Sequence, residues 1–120
     1  MLVVTILRVF LEEDIEIVTT QYNIGEVRAY ISVISEKYAL SEELLESQLK
    51  LLPLKEYPRS FYKDFIQKAT KKLSGKDSDD IELLALSMKL DVPVWSNDRD
   101  FTDSGVEVYT TAKLLKILNI

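Results

Sequence analysis

The stretch Asp80-Ile81-Glu82-Leu83-Leu84-Ala85-Leu86-Ser87-Met88-Lys89-Leu90, then Pro93-Val94-Trp95-Ser96, then Asn97-Asp98-Arg99-Asp100-Phe101, decides the fold. Ile81, Leu84, Ala85, Met88 and Leu90 make its first part apolar around much of a helix, as expected where a helix lies against a sheet. Pro93–Ser96 is a short apolar run bounded by polar residues, which reads as a buried strand. The acidic run after it reads as a turn. Helix, strand and turn therefore follow one another with almost no connecting chain.

The same rhythm extends to both sides. Toward the amino terminus, Ser74–Asp79 is small and polar, contains Gly75 and reads as a loop, so the helix after it begins near Asp80. Before it, Pro58 opens a helix over Arg59–Leu73, with Phe61, Phe65, Ile66 and Ala69 on one side and Lys63, Lys68, Lys71 and Lys72 elsewhere. Leu54–Tyr57 suits a strand. Ser41 caps a helix carrying Leu44, Leu45, Leu49 and Leu52, and Pro53 stops it because proline cannot donate the next hydrogen bond. Ile15–Thr19 alternates as a strand does, and Thr20 caps a helix from about Gln21 to Tyr38 with one buried stripe of Ile24, Val27, Ile31, Ile34 and Tyr38. Toward the carboxyl terminus, Val106–Tyr109 gives a strand, Thr110 a cap, and Ala112, Leu115 and Leu118 or Ile120 the apolar side of a last helix. Parallel strands need crossovers and helices supply them, so this alternation predicts an α/β three-layer sandwich: a small parallel sheet flanked by helices, as one domain over residues 1–120.

Composition narrows the chemistry. The chain has 120 residues, no Cys and no His, which excludes disulfides, thiolate and imidazole metal sites, and catalytic triads built on His. Fifteen Lys and Arg against 20 Asp and Glu give a net charge of -5, so attraction to nucleic-acid phosphate is not a property of the whole surface. The apolar run Leu2–Leu11 is interrupted by Thr5 and Arg8 and is too short to span a bilayer. It lacks a basic leader region and a small-residue cleavage site, so the expected compartment is the cytoplasm, with no membrane partner.

In an open parallel sheet, ligands bind beyond the carboxyl ends of the strands. Four acids belong there: Glu26 on the helix after the first strand, Asp80 at a helix start, and Asp98 and Asp100 directly after Pro93–Ser96. Each alone also suits a structural role, Asp80 as a capping residue near a helix dipole, Asp98 and Asp100 as turn residues, Glu26 as a solvated surface group. Together on one rim they would not all stay ionised without a cation, and oxygen-only ligands favour Mg²⁺ or Mn²⁺.

The stretch Lys76–Ser87, followed by Val94-Trp95-Ser96-Asn97-Asp98-Arg99-Asp100-Phe101, closely resembles the second half of PIN domains, which include the ribonuclease toxins of toxin–antitoxin pairs. Glu26, after Ile17-Val18-Thr19-Thr20, is similar to that family's acidic residue on the helix after the second strand. The resemblance runs from about Ile15 to the carboxyl terminus. It implies a Mg²⁺- or Mn²⁺-dependent endoribonuclease that uses a metal-activated water, with Glu26, Asp80 and Asp98 as metal ligands and catalytic residues. Asp100 would be an auxiliary ligand, and Ser96 would orient a ligand or water. Lys71, Lys72, Lys76 and Arg99 are the candidate RNA contacts, and an antitoxin-like protein is the implied partner.

The chain departs from the family at its amino end. PIN domains usually begin with a strand ending in a metal-binding Asp, whereas here no acid precedes Glu12; if Leu2-Val3-Val4 were that strand, Thr5 would stand where the Asp belongs. Only 21 residues separate Thr5 from Glu26, short for a strand, helix and second strand. The better register makes Ile6–Leu11 part of the first helix, so the reading is an N-terminally truncated domain with weakened activity. The apolar Leu2–Ile6 is then expected to pair with a neighbour's sheet edge or to substitute for the lost strand, giving a homodimer. A catalytically degenerate PIN-like domain that binds RNA or a protein partner is the alternative. Two other motifs fail. Asp98-Arg99-Asp100-Phe101-Thr102 resembles a haloacid-dehalogenase nucleophile motif, but only 18 residues follow it. Asp77-Ser78-Asp79 begins like an EF-hand loop, but Ile81 and Glu82 occupy the positions of a ligand and the turn glycine.

Overall fold

Three hydroxyl side chains start three helices as the sequence predicts. Thr20 ends strand β1 (Ile17–Thr20) and caps α1 (Gln21–Ala29), accepting a hydrogen bond from the Asn23 N–H at 2.8 Å. Ser41 accepts from the Leu44 N–H at the start of α3 (Glu42–Leu51), and Thr110 from the Lys113 N–H at the start of α7 (Thr111–Leu118). The remaining elements are α2 (Ile31–Tyr38), β2 (Leu54–Tyr57), α4 (Arg59–Tyr62), a 3₁₀ turn (Lys63–Phe65), α5 (Ile66–Lys72), α6 (Ser78–Leu90), β3 (Val94–Trp95), a 3₁₀ turn (Arg99–Phe101) and β4 (Val108–Tyr109). These belong to a computed structural model that describes residues 15–73, 78–97, 99–101 and 104–119, with the backbone alone at 78, 79 and 100.

The architecture is α/β, mostly helical, with parallel strands. One continuous sheet was expected, but the described strands make two parallel pairs, β1 with β2 and β3 with β4. Ile17 lies opposite Leu54 and Thr20 opposite Tyr57, while Val94 lies opposite Val108 and Trp95 opposite Tyr109. Among the described residues no strand pairs with β1 or β3 on its other edge. Two cavities, of about 350 and 440 Å³, share Ile17, Val18, Val92, Pro93 and Trp95 and so meet between the two pairs. The expectation of a missing first strand, and the pairing expected of Leu2–Ile6, fall on residues outside the described ones.

The core gathers around α6. Leu84, Ala85 and Leu86 are buried with Tyr62, Ala69, Leu73, Val94 and Phe101, and Val18, Phe61, Phe65, Ile66, Ile81 and Met88 pack against them. The lysines expected on the exposed face of α5, Lys68, Lys71 and Lys72, are exposed.

Several expectations need correction. Helix α6 begins at Ser78 rather than near Asp80, so Asp80 is inside its first turn. The helix expected over Gln21–Tyr38 is interrupted at Tyr30, where the turn tightens and the Tyr30 N–H bonds the Val27 carbonyl at 3.1 Å. Its stripe is buried only at Ile24 and Ile31; Val27 on α1 is exposed, and so are Ile34 and Tyr38, because α2 packs chiefly on α1 and α3 rather than on a strand. The helix expected over Arg59–Leu73 is broken by the Lys63–Phe65 turn, next to which Tyr62 turns fully inward. In α7 the buried positions are Thr111 and Leu114, with Leu115 and Leu118 half-buried; Ala112 is exposed, since the face turned inward runs through 111, 114, 115 and 118.

Candidate functional site

Parallel pairing decides which ends of the strands come together. Because Thr20 faces Tyr57, the chain leaves β1 at Gln21 and β2 at Pro58 on one edge; likewise Ser96 and Thr110 leave β3 and β4 together. Ile15 and Glu16, which enter β1, line one cavity with Leu90, Val92 and Pro93, which enter β3. The two strand pairs therefore border a common cavity, which Tyr57, Trp95 and Tyr109 also line. Helix α6 runs from the leaving edge toward this entering edge. Its second turn carries Glu82, bonded to Arg59 directly after β2, and its last turn carries Lys89, bonded to Asp64 at 3.0 Å.

Glu82 anchors a buried polar network. Its side chain is 1% exposed and accepts from the Tyr62 hydroxyl at 3.0 Å and from Arg59 Nη2 at 3.0 Å, with Arg59 Nε also 3.0 Å from it. Tyr62 is hydrogen-bonded in addition to Thr20, the buried residue that ends β1. Burial, and then the bond to the Glu82 carboxylate, push the Tyr62 phenol up to about 12. Glu82 likewise raises the Arg59 guanidinium, first by the hydrogen bond and then by its charge. No buried side-chain polar atom among the described residues lacks a partner. The network ties the start of α6 to the ends of β1 and β2.

The sequence-predicted residues lie as follows. Glu26 is half-buried in the second turn of α1, and Asp80 is half-buried in the first turn of α6, where it interacts with neighbours. Ser96 is half-buried just past β3, its N–H bonded to the Tyr109 carbonyl at 3.0 Å. Asp98 and Lys76 lie outside the described residues, and of Asp100 the backbone is described, within the Arg99–Phe101 turn. Among the described residues no three acidic side chains are gathered closely enough to hold a metal ion. Lys71 and Lys72 are exposed in the last turn of α5, and Arg99 is exposed.

Two groups at this edge escaped the sequence reading. Asn97 is a tether: its carboxamide oxygen accepts from the Thr111 N–H at 2.9 Å, and its Nδ2 donates to the Thr111 hydroxyl at 3.1 Å. Trp95 Nε1 donates to the same hydroxyl at 3.0 Å. The other is the Arg59–Tyr62–Glu82 cluster. Its signal was a charge amid the apolar residues of α6, and an Arg and a Tyr three apart on one helical turn.

A model of the PIN domain family matches residues 2–119. The chain belongs to the PIN domain family, whose chemistry is of the nuclease type and generally depends on a divalent metal. The match starts well before Ile15, where the sequence alone places the start of the resemblance, and so takes in most of the amino-terminal stretch. No curated protein and no solved structure matches the chain. Among the described residues, no helix is long and apolar enough to cross a membrane.

Proposed function

We propose that the chain is a Mg²⁺- or Mn²⁺-dependent endoribonuclease of low activity, with Glu26, Asp80 and Asp98 as metal ligands, Asp100 as an auxiliary ligand and Ser96 orienting one of them. The observation that carries this reading is the family match across residues 2–119, in a chain where Glu26 and Asp98 come after the leaving ends of parallel strands. The donor chemistry fits a hard cation: the chain offers carboxylates and hydroxyls but neither imidazole nor thiolate. When bound, such an ion supplies charge stabilisation at the phosphodiester and a water of lowered pKa.

The protein's own part is positional. The Glu82 network fixes the first turns of α6 against the ends of β1 and β2, and thereby fixes Asp80 relative to α1 and Glu26. Asn97 fixes the chain immediately before Asp98 against α7. Lys71, Lys72, Lys76 and Arg99 supply positive charge to draw in RNA phosphate. On this reading the chain is the toxin of a toxin–antitoxin pair, works as a homodimer in the cytoplasm, and has an antitoxin-like protein as its partner.

The test is cleavage of unstructured RNA with Mn²⁺, which Asp98→Asn and chelation should both abolish. The alternative reading is a PIN domain that binds RNA or a protein without cutting. Mn²⁺ binding without cleavage by the unaltered chain would select it.

A further inference from the structure

We propose that Arg59 is a phosphate-binding residue of the RNA site, held in position by the buried Glu82 carboxylate; this rests on the nuclease reading and names a contact within it. Arg59 is the first helical residue after β2 and Pro58, at the same edge from which β1 runs into α1. Its side chain is 64% exposed although the carboxylate that holds it is 1% exposed. Nε and Nη2 face inward to Glu82, and Nη1 makes no hydrogen bond among the described residues. The outward edge of the guanidinium is thus presented to solvent by a fixed inner edge, the geometry in which arginine takes a phosphate oxygen.

Neighbouring residues give this edge its direction. Tyr22 and Arg59 each lie two residues past the last strand pair, Thr20 with Tyr57, and are near enough to interact electrostatically. Tyr22 and Glu26 are four apart on α1 and so share a face. Arg59 therefore stands on the side of α1 that carries one proposed metal ligand, Glu26. A strand of RNA whose scissile phosphate lies at the acids would bring a neighbouring phosphate past the guanidinium. The exposed lysines of α5 differ, since none of Lys68, Lys71 and Lys72 is held by a carboxylate among the described residues.

The experiment must separate phosphate binding from simple neutralisation of Glu82. The double variant Arg59→Met with Glu82→Gln removes the cation together with the charge that needs it, and Gln can still accept from Tyr62. RNA binding is read by titrating a labelled single-stranded oligonucleotide in EDTA at several salt concentrations; KM and kcat are then read with Mn²⁺. The expected result is a Kd raised about tenfold, a salt slope shallower by about 0.7, as for one lost phosphate contact on a single strand, and KM raised more than kcat is lowered. An unchanged Kd and salt slope would overturn the proposal and leave Arg59 as a partner for Glu82 alone. If the double variant does not fold, Arg59→Gln, which still donates to Glu82 without charge, is read in the same way. Arg59-dependent binding without cleavage by the unaltered chain would sink the nuclease reading and keep this contact; cleavage with a KM indifferent to Arg59 would do the reverse.

Discussion

The region from α4 to β3 and the arm formed by α2 and α3 contain similar helices and bury them very differently. Helix α6 has Leu84, Ala85 and Leu86 fully enclosed, and α5 contributes a buried Ala69 followed by a buried Leu73. On the arm, α2 buries Ile31 alone and α3 buries nothing, while Tyr30, Val33, Tyr38, Leu40 and Leu44 are exposed and Leu51 is 79% exposed. The apolar content of the two regions is comparable, so sequence hydrophobicity does not set the burial. What differs is the surface available: α6 lies against both strand pairs and α5, whereas α2 and α3 pack mainly on each other. A helix is buried by its neighbours rather than by its composition.

The sharpest way to break this contrast is to truncate one leucine in each region. Leu84→Ala should cost about 2–5 kcal/mol in denaturant unfolding, the range for a fully enclosed leucine, whereas Leu51→Ala should stay within about 0.5 kcal/mol. Equal losses would mean that the arm is covered. Next in size is Tyr62→Phe, which takes from the buried Glu82 one of its hydrogen bonds and should cost about 1–3 kcal/mol by the same measurement.

Alkali offers a second view of the same residue. Tyr62 is pushed up to about 12 in the folded chain, so the unfolded chain loses its phenolic proton first. The stability this gives is complete below about pH 10 and drains away as pH climbs toward 12, by an amount on the order of 2 kcal/mol. Tyr62→Phe should flatten that part of the stability curve. Smaller still is a comparison of caps. Thr20→Ala, at a buried cap, should lose about 1–2 kcal/mol and Ser41→Ala, at an exposed cap on the arm, about 0.5 kcal/mol. At the bottom of the scale, Lys89 holds Asp64 below the usual carboxylate range. This pair, whose Asp64 side chain is exposed, supports the fold while the acid is ionised and stops doing so as it is protonated. Removing it with Lys89→Ala should leave thermal unfolding nearly unchanged at physiological salt.

Much of the fold was legible because local signals and tertiary structure agree. Thr20, Ser41 and Thr110 cap as their side chains require, Pro53 ends the third helix, and the strand over Leu54–Tyr57 falls where the sequence puts it. The failures arise where the outcome depends on a distant partner. Val27, Ile34 and Tyr38 have the right spacing for a buried stripe, but periodicity cannot supply the element that would cover them. Pairing into two sheets rather than one likewise depends on which edges meet. Of the candidate site, the order Glu26, Asp80, Asp98 along the chain was readable from motif and spacing. The arrangement that steadies it was not, since Glu82 reaches Arg59 and Tyr62 across 23 and 20 residues and Asn97 reaches Thr111 across 14.

That last bond makes the carboxyl-terminal helix more than a lid on β4. Thr111 is its first residue; it makes two hydrogen bonds with Asn97, the residue immediately before Asp98, donating one and accepting one, and accepts a third from Trp95 Nε1. A deletion that removed the helix would cut this rivet, and Asn97 would lose its bearing on the rest of the molecule even though every acidic residue remained in the chain.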